Sequence, residues 1–419
     1  MKKVLFLAYY FPPAGGGGVQ RSSKFVKYLP DFGWEPIVIT ANEVQSEPKD
    51  FSLLTDVRKT KIIRTDKDNI IPKLLLNNKY VYEFFNMVIC PDIQLGWLPY
   101  LRKKVDNVIK TKNISLVYTS CSPFSLNLEG IRIQKKYRIP WITDFRDPWT
   151  LNTNFKPISP IHKELNTILE KKTMELCNYY IANTEMNLKK AWDVFPNLKN
   201  KSTWIPNGFD PDDFKHKICK TKLINDEKNE WHFTYIGACY HNYNPAYLFK
   251  LINEFLEKHE DCRIVIHYAG AHFKCFFNGA KKYRLQNLII NHGYLNHLDS
   301  IELIQNSDLL LLYLPKKKNA SAWVPGKLYE YLSSNKPIFA VIPEGISYEI
   351  INISKSGIAL TYEEAENHGS KELNELWFRW KNGSTFFPTD QEYIKMYDRK
   401  VLTKKLANIF DKTIKCDSQ

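Results

Sequence analysis

The sequence predicts an α/β protein with two domains, each built on a parallel β-sheet. Short, continuous apolar runs alternate with longer segments of helical period along the whole 419-residue chain. A strand that is apolar along its whole length is typical of a parallel sheet covered by helices on both faces. The chain is also longer than one core usually organises, because a domain generally holds about 100–200 residues.

The first half opens with a strand and a helix. The run "KVLFLAY" (3–9) precedes four glycines, and "VQRSSKFVKYL" (19–29) then spaces its apolar residues with a helical period. Further runs that predict buried strands lie at 36–40, 116–120, 140–144 and 179–184. Strands and helices that alternate at this spacing are typical of βαβ units.

The same pattern restarts after the turn residues Pro206, Asn207 and Gly208. Strands are predicted at 231–237, 262–270, 287–293, 307–314 and 336–342, and a helix at 244–259. We therefore predict an N-terminal domain over 1–205 and a second domain over 206–389. The remaining segment, which follows Pro388, predicts one or two helices over 390–414.

Composition narrows the possible environments and partners. The net charge is +14, and residues 1–210 carry +11 of it. A basic surface attracts nucleic acid, anionic lipid headgroups or phosphorylated substrates, although a solvated lysine-rich face is the alternative. The eight cysteines form no CxxC pair, so we expect free thiols in a reducing cytoplasm and neither a zinc site nor a disulfide scaffold. No run approaches the ~20 apolar residues of a membrane span, and no signal-peptide cleavage site is apparent.

The glycine loop is the first stretch with candidate chemistry. Gly15, Gly16, Gly17 and Gly18 lie between the first strand and the first helix. The N-terminus of a helix offers free N–H groups and a partial positive charge to an anion. The pattern is neither a dinucleotide fingerprint nor a P-loop, so a flexible turn is the alternative.

The second stretch is "WVPGKLYEYLSSNKPIFAVI" (323–342), where another helix opens after a strand. The loop and helix start that would approach a phosphate are Val324, Pro325, Gly326 and Lys327. Glu330 lies one turn inside the helix, where a carboxylate could accept two hydroxyls of a ribose. An exposed carboxylate favoured by the helix dipole is the alternative.

The third stretch is "PWITDFRDPW" (140–149), in which Asp144, Arg146 and Asp147 follow a buried strand. Parallel sheets bind ligands at the carboxyl ends of their strands, so these three residues are candidates for an acceptor or catalytic site. A structural cluster of ion pairs is the alternative. Trp141 and Trp149 would either frame a sugar face or pack in the core.

Five stretches in the same order give the sequence a recognisable likeness: "YYFPPAGGGGVQR", "IPWITDFRDPW", "IPNGFD", "FTYIG" and "PGKLYEYLSSNKPI". Together they resemble a family 4 glycosyltransferase of the bacterial type that assembles capsule, O-antigen or exopolysaccharide. The resemblance implies the GT-B architecture, in which two Rossmann-like domains face a cleft. It also implies that the C-terminal helices, 390–419, cross back to the N-terminal domain.

The resemblance further implies an enzyme that transfers a sugar from a UDP- or GDP-sugar with retention of configuration. The acceptor would be a glycan, most readily one linked to polyprenyl diphosphate. Neither a metal nor another cofactor is expected, and no nucleic acid partner. The place of action would be the cytoplasm, with peripheral contact to the anionic inner membrane. The sequence leaves open the base, the sugar, the acceptor, the linkage and the oligomeric state.

Site residues carry over by position. Gly15 to Gly18 and the segment from Trp323 to Lys327 would face the donor diphosphate, and Glu330 would hold the ribose. Two departures from the family pattern stand out. Ala322 replaces a frequent glutamate eight positions before Glu330, and the loop after 231–237 lacks the usual arginine. His241 is present in that loop, and a later lysine that also grips the diphosphate in the family has Lys281, Lys282 or Arg284 as candidates here, with Lys327 as a further contributor.

Two other readings of the sequence stay open. One is a sugar-nucleotide epimerase with the same fold. The other is a non-catalytic or degenerate protein of this fold that binds lipid or polyanions, for which Ala322 and the missing arginine are the motivation.

Overall fold

The computed structural model describes residues 1–42, 48–66, 78–215, 230–240, 243, 245–317, 320–383 and 388–416. It divides into two compact units, Met1–Asn207 together with Arg399–Gln419, and Gly208–Asp398. Each unit is a parallel sheet with helices packed on it, so the predicted class, two Rossmann-like α/β domains, is confirmed. None of the helices in these ranges combines the length and the apolar character that crossing a membrane would need.

The first unit alternates strands and helices in the order that the sequence predicts. Its described strands are β1 (Lys2–Ala8), β2 (Trp34–Ala41), β3 (Lys61–Thr65), β4 (Leu116–Cys121), β5 (Trp141–Phe145), β6 (Tyr179–Ala182) and β7 (Ser202–Trp204). Its described helices are α1 (Gly17–Tyr28), α2 (Lys79–Val88), α3 (Leu98–Thr111), α4 (Leu126–Tyr137), α5 (Pro160–Leu176) and α6 (Glu185–Val194).

The first sheet has the order β3-β2-β1-β4-β5-β6-β7, and every neighbouring pair is parallel. The strand order reverses between β1 and β4, which lie side by side. At such a switch point the loops leaving the two strands diverge and open a crevice at the carboxyl edge of the sheet. The glycine loop follows β1, so the fold brings it to this crevice.

Both faces of the first sheet are buried, which accounts for the continuous apolar runs. Leu5 and Leu7 of β1 point into one core, together with Trp97. Val4 and Phe6 point into the core on the other face. A strand inside a parallel sheet therefore needs apolar side chains at consecutive positions.

The second unit repeats the scheme. Its described strands are β8 (Glu230–Ile236), β9 (Arg263–Ala269), β10 (Ile289–Gly293), β11 (Leu309–Tyr313), β12 (Ile338–Val341) and β13 (Gly357–Leu360). Its described helices are α7 (Ala246–Leu256), α8 (Phe273–Lys281), α9 (His297–Asn306), α10 (Gly326–Ser333), α11 (Ile346–Ser354), α12 (Tyr362–Lys381) and α13 (Gln391–Lys395).

The second sheet has the order β10-β9-β8-β11-β12-β13, again with parallel neighbours. Its switch point lies between β8 and β11. The loop after β8 and the segment that leads from β11 into α10 therefore leave the sheet at neighbouring positions of the carboxyl edge.

The chain returns to the first unit later than predicted. Helix α14 (Arg399–Cys416) belongs to the first unit, where Phe410 packs edge-on against Trp34 with ring centroids 5.2 Å apart. The segment 390–398, which was expected to return as well, stays in the second unit. There Tyr397 packs on Tyr329 of α10, with ring centroids 5.0 Å apart.

Three strands lie where no strand is predicted: β3, β7 and β13. All three are sheet edges of three to five residues. An edge strand buries little of its surface, so it needs no continuous apolar run and gives a weak sequence signal.

Candidate functional site

The glycine loop presents open backbone at the start of α1. Gly16 has φ +98°, a conformation that side chains other than glycine rarely adopt. Gly15 is buried, and its N–H donates to the Pro48 carbonyl at 2.7 Å. Gly16 and Gly17 are exposed, and no atom lies within 4 Å of where a Cβ would stand. The positive end of the α1 dipole is therefore accessible to an anion.

Arg146 lies directly against this loop. A Cβ on Gly18 would stand 1.5 Å from Nη1 of Arg146, so only glycine permits the contact. The guanidinium donates from Nε to the Cys121 carbonyl at 3.2 Å and from Nη2 to the Ser122 carbonyl. The end of β4 thus holds a cation beside the first turn of α1. The crevice of the first unit combines a helix N-terminus with a positioned guanidinium.

Asp144 has a structural environment and no free surface. Its carboxylate is fully buried and accepts two hydrogen bonds from Arg21, at 2.7 and 2.9 Å, and one from the Tyr118 hydroxyl. The same Arg21 donates to the Pro206 carbonyl at 2.8 Å. This geometry corrects the expectation of a contact between Asp144 and the acceptor, because a fully enclosed carboxylate cannot reach one. Asp147, two residues after the end of β5, is exposed.

A cavity of about 610 Å³ opens at the carboxyl edge of the first sheet. The loops after β1, β4 and β5 form its floor, and α2 and α5 form part of its walls. Lining side chains from these segments include Tyr10, Met87, Pro123, Trp149, Lys156 and His162. Trp149 stacks on Phe124 with centroids 4.8 Å apart, and both Trp149 and Trp141 are buried in the core of the unit.

Two buried polar side chains line this cavity, and the sequence analysis missed both. The Asp92 Oδ2 atom accepts the Ser125 N–H at 2.9 Å, and Oδ1 has no hydrogen-bond partner among the described residues. The Nδ1 atom of His162 is likewise without one. Burial raises the pKa of Asp92 above its usual range. No local pattern marks these residues, because three distant segments bring them together.

Lys327 is the charged group at the switch point of the second unit. Its Nζ lies 3.5 Å from the centroid of the Tyr235 ring and 3.6 Å from the position of a Cβ on Gly237. Burial lowers the pKa of Lys327 to about 7. Helix α10 begins one residue earlier, at the exposed Gly326, with Pro325 as N-cap and Val324 just before it. A cation therefore reaches the loop after β8, where the sequence lacks an arginine.

Glu330 lies three residues after Lys327 on the same helix, and only 7% of it is exposed. Its Oε1 atom is 3.5 Å from Nδ1 of His297, and Nε2 of that histidine is 2.7 Å from Oδ2 of Asp213. An exposed helix carboxylate, the alternative raised by the sequence, does not fit this burial. The carboxylate is held inside the unit, one turn from Lys327.

Ala322 ends the turn that precedes α10, and this turn is tightly fixed. A Cβ on Gly345 would stand 2.3 Å from the Ser321 carbonyl oxygen, and the Ser347 hydroxyl donates to the Trp323 carbonyl at 2.7 Å. Ala322 itself is buried. The sequence signal for this support is the glycine at 345.

The other candidates for the missing charge do not join Lys327. Lys281 is the last residue of α8, which starts at the carboxyl edge after β9 and runs back toward the opposite edge. Lys282 and Arg284 follow it and are exposed before the start of β10. The crossover direction of a βαβ unit places all three away from the switch point. His241 lies outside the described residues.

Two family models match the sequence in series. The model "Glycosyltransferase Family 4" matches residues 15–213, and "Glycosyl transferases group 1" matches residues 217–373. The chain belongs to the family 4 glycosyltransferases. No curated protein matches it in sequence.

Solved structures give this family 4 glycosyltransferase the GT-B fold. Sucrose-phosphate synthase from Thermosynechococcus elongatus superimposes with a TM-score of 0.66 at 12% identity, covering 99% of this chain and 100% of the other. HepE from Anabaena, in complex with UDP and glucose, superimposes with a TM-score of 0.65 at 15% sequence identity, covering 98% of this chain and 100% of HepE. The UDP-GlcNAc 2-epimerase from Methanocaldococcus jannaschii superimposes with a TM-score of 0.58 at 12% sequence identity, covering 98% of this chain and 100% of the epimerase.

Proposed function

We propose that this glycosyltransferase transfers a hexosyl group from a UDP- or GDP-sugar to a glycan carried on polyprenyl diphosphate. Transfer would retain the anomeric configuration and serve cell-surface polysaccharide biosynthesis, such as that of capsule or O-antigen. The observation that carries the donor assignment is the pairing of Lys327 and Glu330 on α10, at the switch point of the second sheet. One turn of helix offers a cation for a diphosphate and a buried carboxylate for a ribose.

The reaction needs positive charge where the leaving nucleoside diphosphate gains negative charge. Lys327 and the N-terminus of α10 supply that charge in the second unit, and we assign to Lys327 the role of the arginine that the sequence lacks. In the first unit, the exposed start of α1 at Gly16 and Gly17 and the guanidinium of Arg146 form a positively charged region of their own. We propose that these groups take the place of a metal ion at the diphosphate. HepE, which shares the fold, was solved with UDP and glucose, and this supports a nucleotide-sugar donor.

We assign the acceptor to the cavity of the first unit. Tyr10, Phe124 and Phe155 are partly exposed aromatic side chains in the lining and suit the face of a sugar ring. Asp92 and His162 each retain a hydrogen-bonding atom without a partner among the described residues. A pocket of several hundred Å³ with a few polar groups among apolar ones is typical of a small-ligand site. Arg146 and the exposed Asp147 lie on the loop after β5, which also contributes to this cavity.

Two exposed apolar stripes support a lipid-linked acceptor and contact with a membrane. Residues 80, 84, 87 and 88 form one stripe on α2, and residues 161, 165 and 168 form the other on α5. Both helices also line the cavity. Lys163, Lys171 and Lys172 are exposed on α5 together with Glu164 and Glu175, and residues 1–210 as a whole carry a net charge of +11. Apolar side chains combined with lysines on a surface helix favour binding to an anionic membrane interface, here proposed as the cytoplasmic face of the inner membrane.

The test of the donor site is binding followed by product analysis. UDP or GDP should raise the melting temperature, as a ligand that binds only the folded state does. A screen of the corresponding sugar nucleotides against lipid-linked acceptors, with and without EDTA, would identify the donor. NMR of the new linkage would report retention or inversion. Stabilisation by neither nucleotide would contradict the proposal.

Glu330→Ala should weaken binding of the nucleoside diphosphate by about 10–100-fold, because two hydrogen bonds to a charged acceptor are lost. Glu349→Ala, which removes a glutamate of the first turn of α11, is the matched control. Calorimetric titration measures both. An unchanged Kd in Glu330→Ala would remove the ribose assignment.

The same screen separates the remaining alternatives. An epimerase would convert a UDP-sugar into its epimer without an acceptor, and one of the structural relatives is an epimerase. A non-catalytic relative that binds polyanions would respond to heparin and nucleic acid equally, with a steep dependence on salt.

A further inference from the structure

The structure assigns to His297 a role that no sequence motif indicates. We propose that His297, fixed by Asp213, is a positioning residue that holds the Glu330 carboxylate in the orientation required to accept ribose hydroxyls. This inference rests on the proposed function, since it concerns the nucleotide that Glu330 would bind. The observation behind it is a row of three side chains, Asp213, His297 and Glu330, all within the second unit.

The distances define the order of the contacts. Nε2 of His297 is 2.7 Å from Asp213 Oδ2, a short hydrogen bond, and Nδ1 is 3.5 Å from Glu330 Oε1. The imidazole therefore uses one nitrogen for each carboxylate. A protonated imidazole donates from both nitrogens and can satisfy both carboxylates at once. All three side chains are at least nine-tenths buried, so the geometry is held by packing.

Each end of the row stands on a fixed element. Asp213 lies in the turn Pro211–Phe214, whose start is capped by Asp210, and the Phe214 carbonyl accepts a hydrogen bond from Gln305 of α9 at 3.1 Å. His297 is the first residue of α9, and Asn296 caps that helix by accepting the Asp299 N–H at 2.9 Å. A hydrogen bond therefore joins the turn that carries Asp213 to the helix that carries His297.

Glu330 needs such support because its carboxylate is buried and has to meet two hydroxyls in one defined plane. A carboxylate left to rotate would lose both contacts for a small displacement, and outer contacts that fix a binding group commonly set its affinity. Loss of His297 should therefore act on the ribose through Glu330, while Lys327 keeps its place at the diphosphate.

The test compares ribose recognition in variants by calorimetry with UDP and 2′-deoxy-UDP, or with GDP and 2′-deoxy-GDP where GDP is the nucleotide that binds. The wild-type protein should prefer the ribonucleotide by about tenfold or more, the usual worth of one hydrogen bond to a charged group. His297→Ala should reduce this preference to that of Glu330→Ala, and the double variant should add nothing further. His297→Gln, which keeps one donor, should restore part of it.

A change of the same residue type serves as the matched control. His259 lies in the same unit, after α7, where its Nε2 is 2.8 Å from the Asn374 side chain. His259→Gln should leave the preference unchanged. Asp213→Asn should lower the preference for the ribonucleotide by a smaller factor than His297→Ala does. This variant tests the same row of side chains if His297→Ala does not fold.

The outcomes separate this inference from the function on which it rests. If the wild-type protein binds neither nucleotide, the proposed function and the positioning role of His297 are both refuted. If the wild-type protein prefers the ribonucleotide and His297→Ala keeps the full preference, the positioning role is refuted while the donor site stands. A weaker Kd in His297→Ala with an unchanged preference also refutes it, because a general loss of structure affects both nucleotides equally.

Discussion

At the scale of single residues, the charges of this protein divide into those enclosed by partners and those that we assign to a ligand. Arg21 and Asp144 enclose one another inside the first unit. Lys327, in contrast, has an aromatic ring beside it and a pKa brought down to about 7 by burial. Breaking the first arrangement should affect folding, whereas changing the second should affect binding.

Replacing Arg21 by Met should destabilise the first unit by about 3–5 kcal/mol, because the Asp144 carboxylate would remain buried without its partner. Thermal melting of the full chain measures the change. Lys400→Met breaks an exposed pair with Asp31, and it should cost no more than about 1 kcal/mol. Equal melting temperatures of the two variants would mean that the buried pair stabilises the protein no more than the exposed pair does.

Nucleotide binding should depend on pH through Lys327. With a pKa of about 7, this side chain carries its charge below pH 7 and loses it above. Affinity for the diphosphate should therefore fall as the pH rises from 7 to 9, approaching tenfold per unit for one linked proton. Lys327→Met should bind weakly and lack this slope, and calorimetry across the range compares the two. A parallel slope in both would assign the titration elsewhere.

At the scale of elements, strands were predictable and the contacts between loops were not. β1 and β5 lie within one residue of their predicted positions, because their burial on both faces demands continuous apolar sequence. β3 lacks that signal, since it is a half-exposed edge that carries Lys61 and Arg64.

The residues of the candidate site likewise differ in how well the sequence predicts them. Glu330 and the glycines could be located from sequence, because they follow strands at a carboxyl edge. The partner of Asp144 could not, because Arg21 is 123 positions away. Lys281 was misplaced for a related reason: charge alone does not tell at which end of a crossover helix a residue lies.

The contact between α1 and the loop after β5 yields a sharp prediction. Gly18→Ala would drive a methyl group into Arg146 and displace the guanidinium. Transfer should fall by about a hundredfold, the usual effect of losing one group that stabilises a developing charge. Gly17→Ala meets nothing within 4 Å, keeps its N–H and leaves Arg146 in place, so its rate should stay well above that of Gly18→Ala. Rates with the identified donor measure this, and equal rates in the two variants would exclude the role of Arg146.

At the scale of the whole molecule, the basic charge and the apolar stripes belong to the same unit. Residues 1–210 carry +11 of the net +14, and α2 and α5 expose their apolar stripes in this half of the chain. The charge could be predicted from the sequence. The apolar stripes could not, because apolar periodicity indicates a helix but does not tell which of its faces stays exposed.

Association with anionic vesicles should depend on the α5 stripe. Changing Ile161, Leu165 and Ile168 together to Ser removes exposed apolar surface, so binding to phosphatidylglycerol vesicles should fall severalfold at constant stability. The matched control is Ile353→Ser, at an exposed position of the second unit. Neutralising Arg102, Lys103 and Lys104 should have a smaller effect, since Arg102 already pairs with Glu129. Flotation measures all three, and unaltered flotation of the triple variant would refute membrane contact through α5.

The return of α14 to the first unit has a consequence for biosynthesis. Phe410 and Leu406 complete the apolar layer beneath Trp34 and Tyr118, so this layer lacks its cover until residues 399–416 have left the ribosome. The second unit, whose residues 208–398 are contiguous, can close earlier. Ribosome stalling or proteolysis just before Arg399 would therefore release a chain whose first unit is incompletely folded and exposes apolar surface. Such a product is prone to aggregate and is a substrate for chaperones.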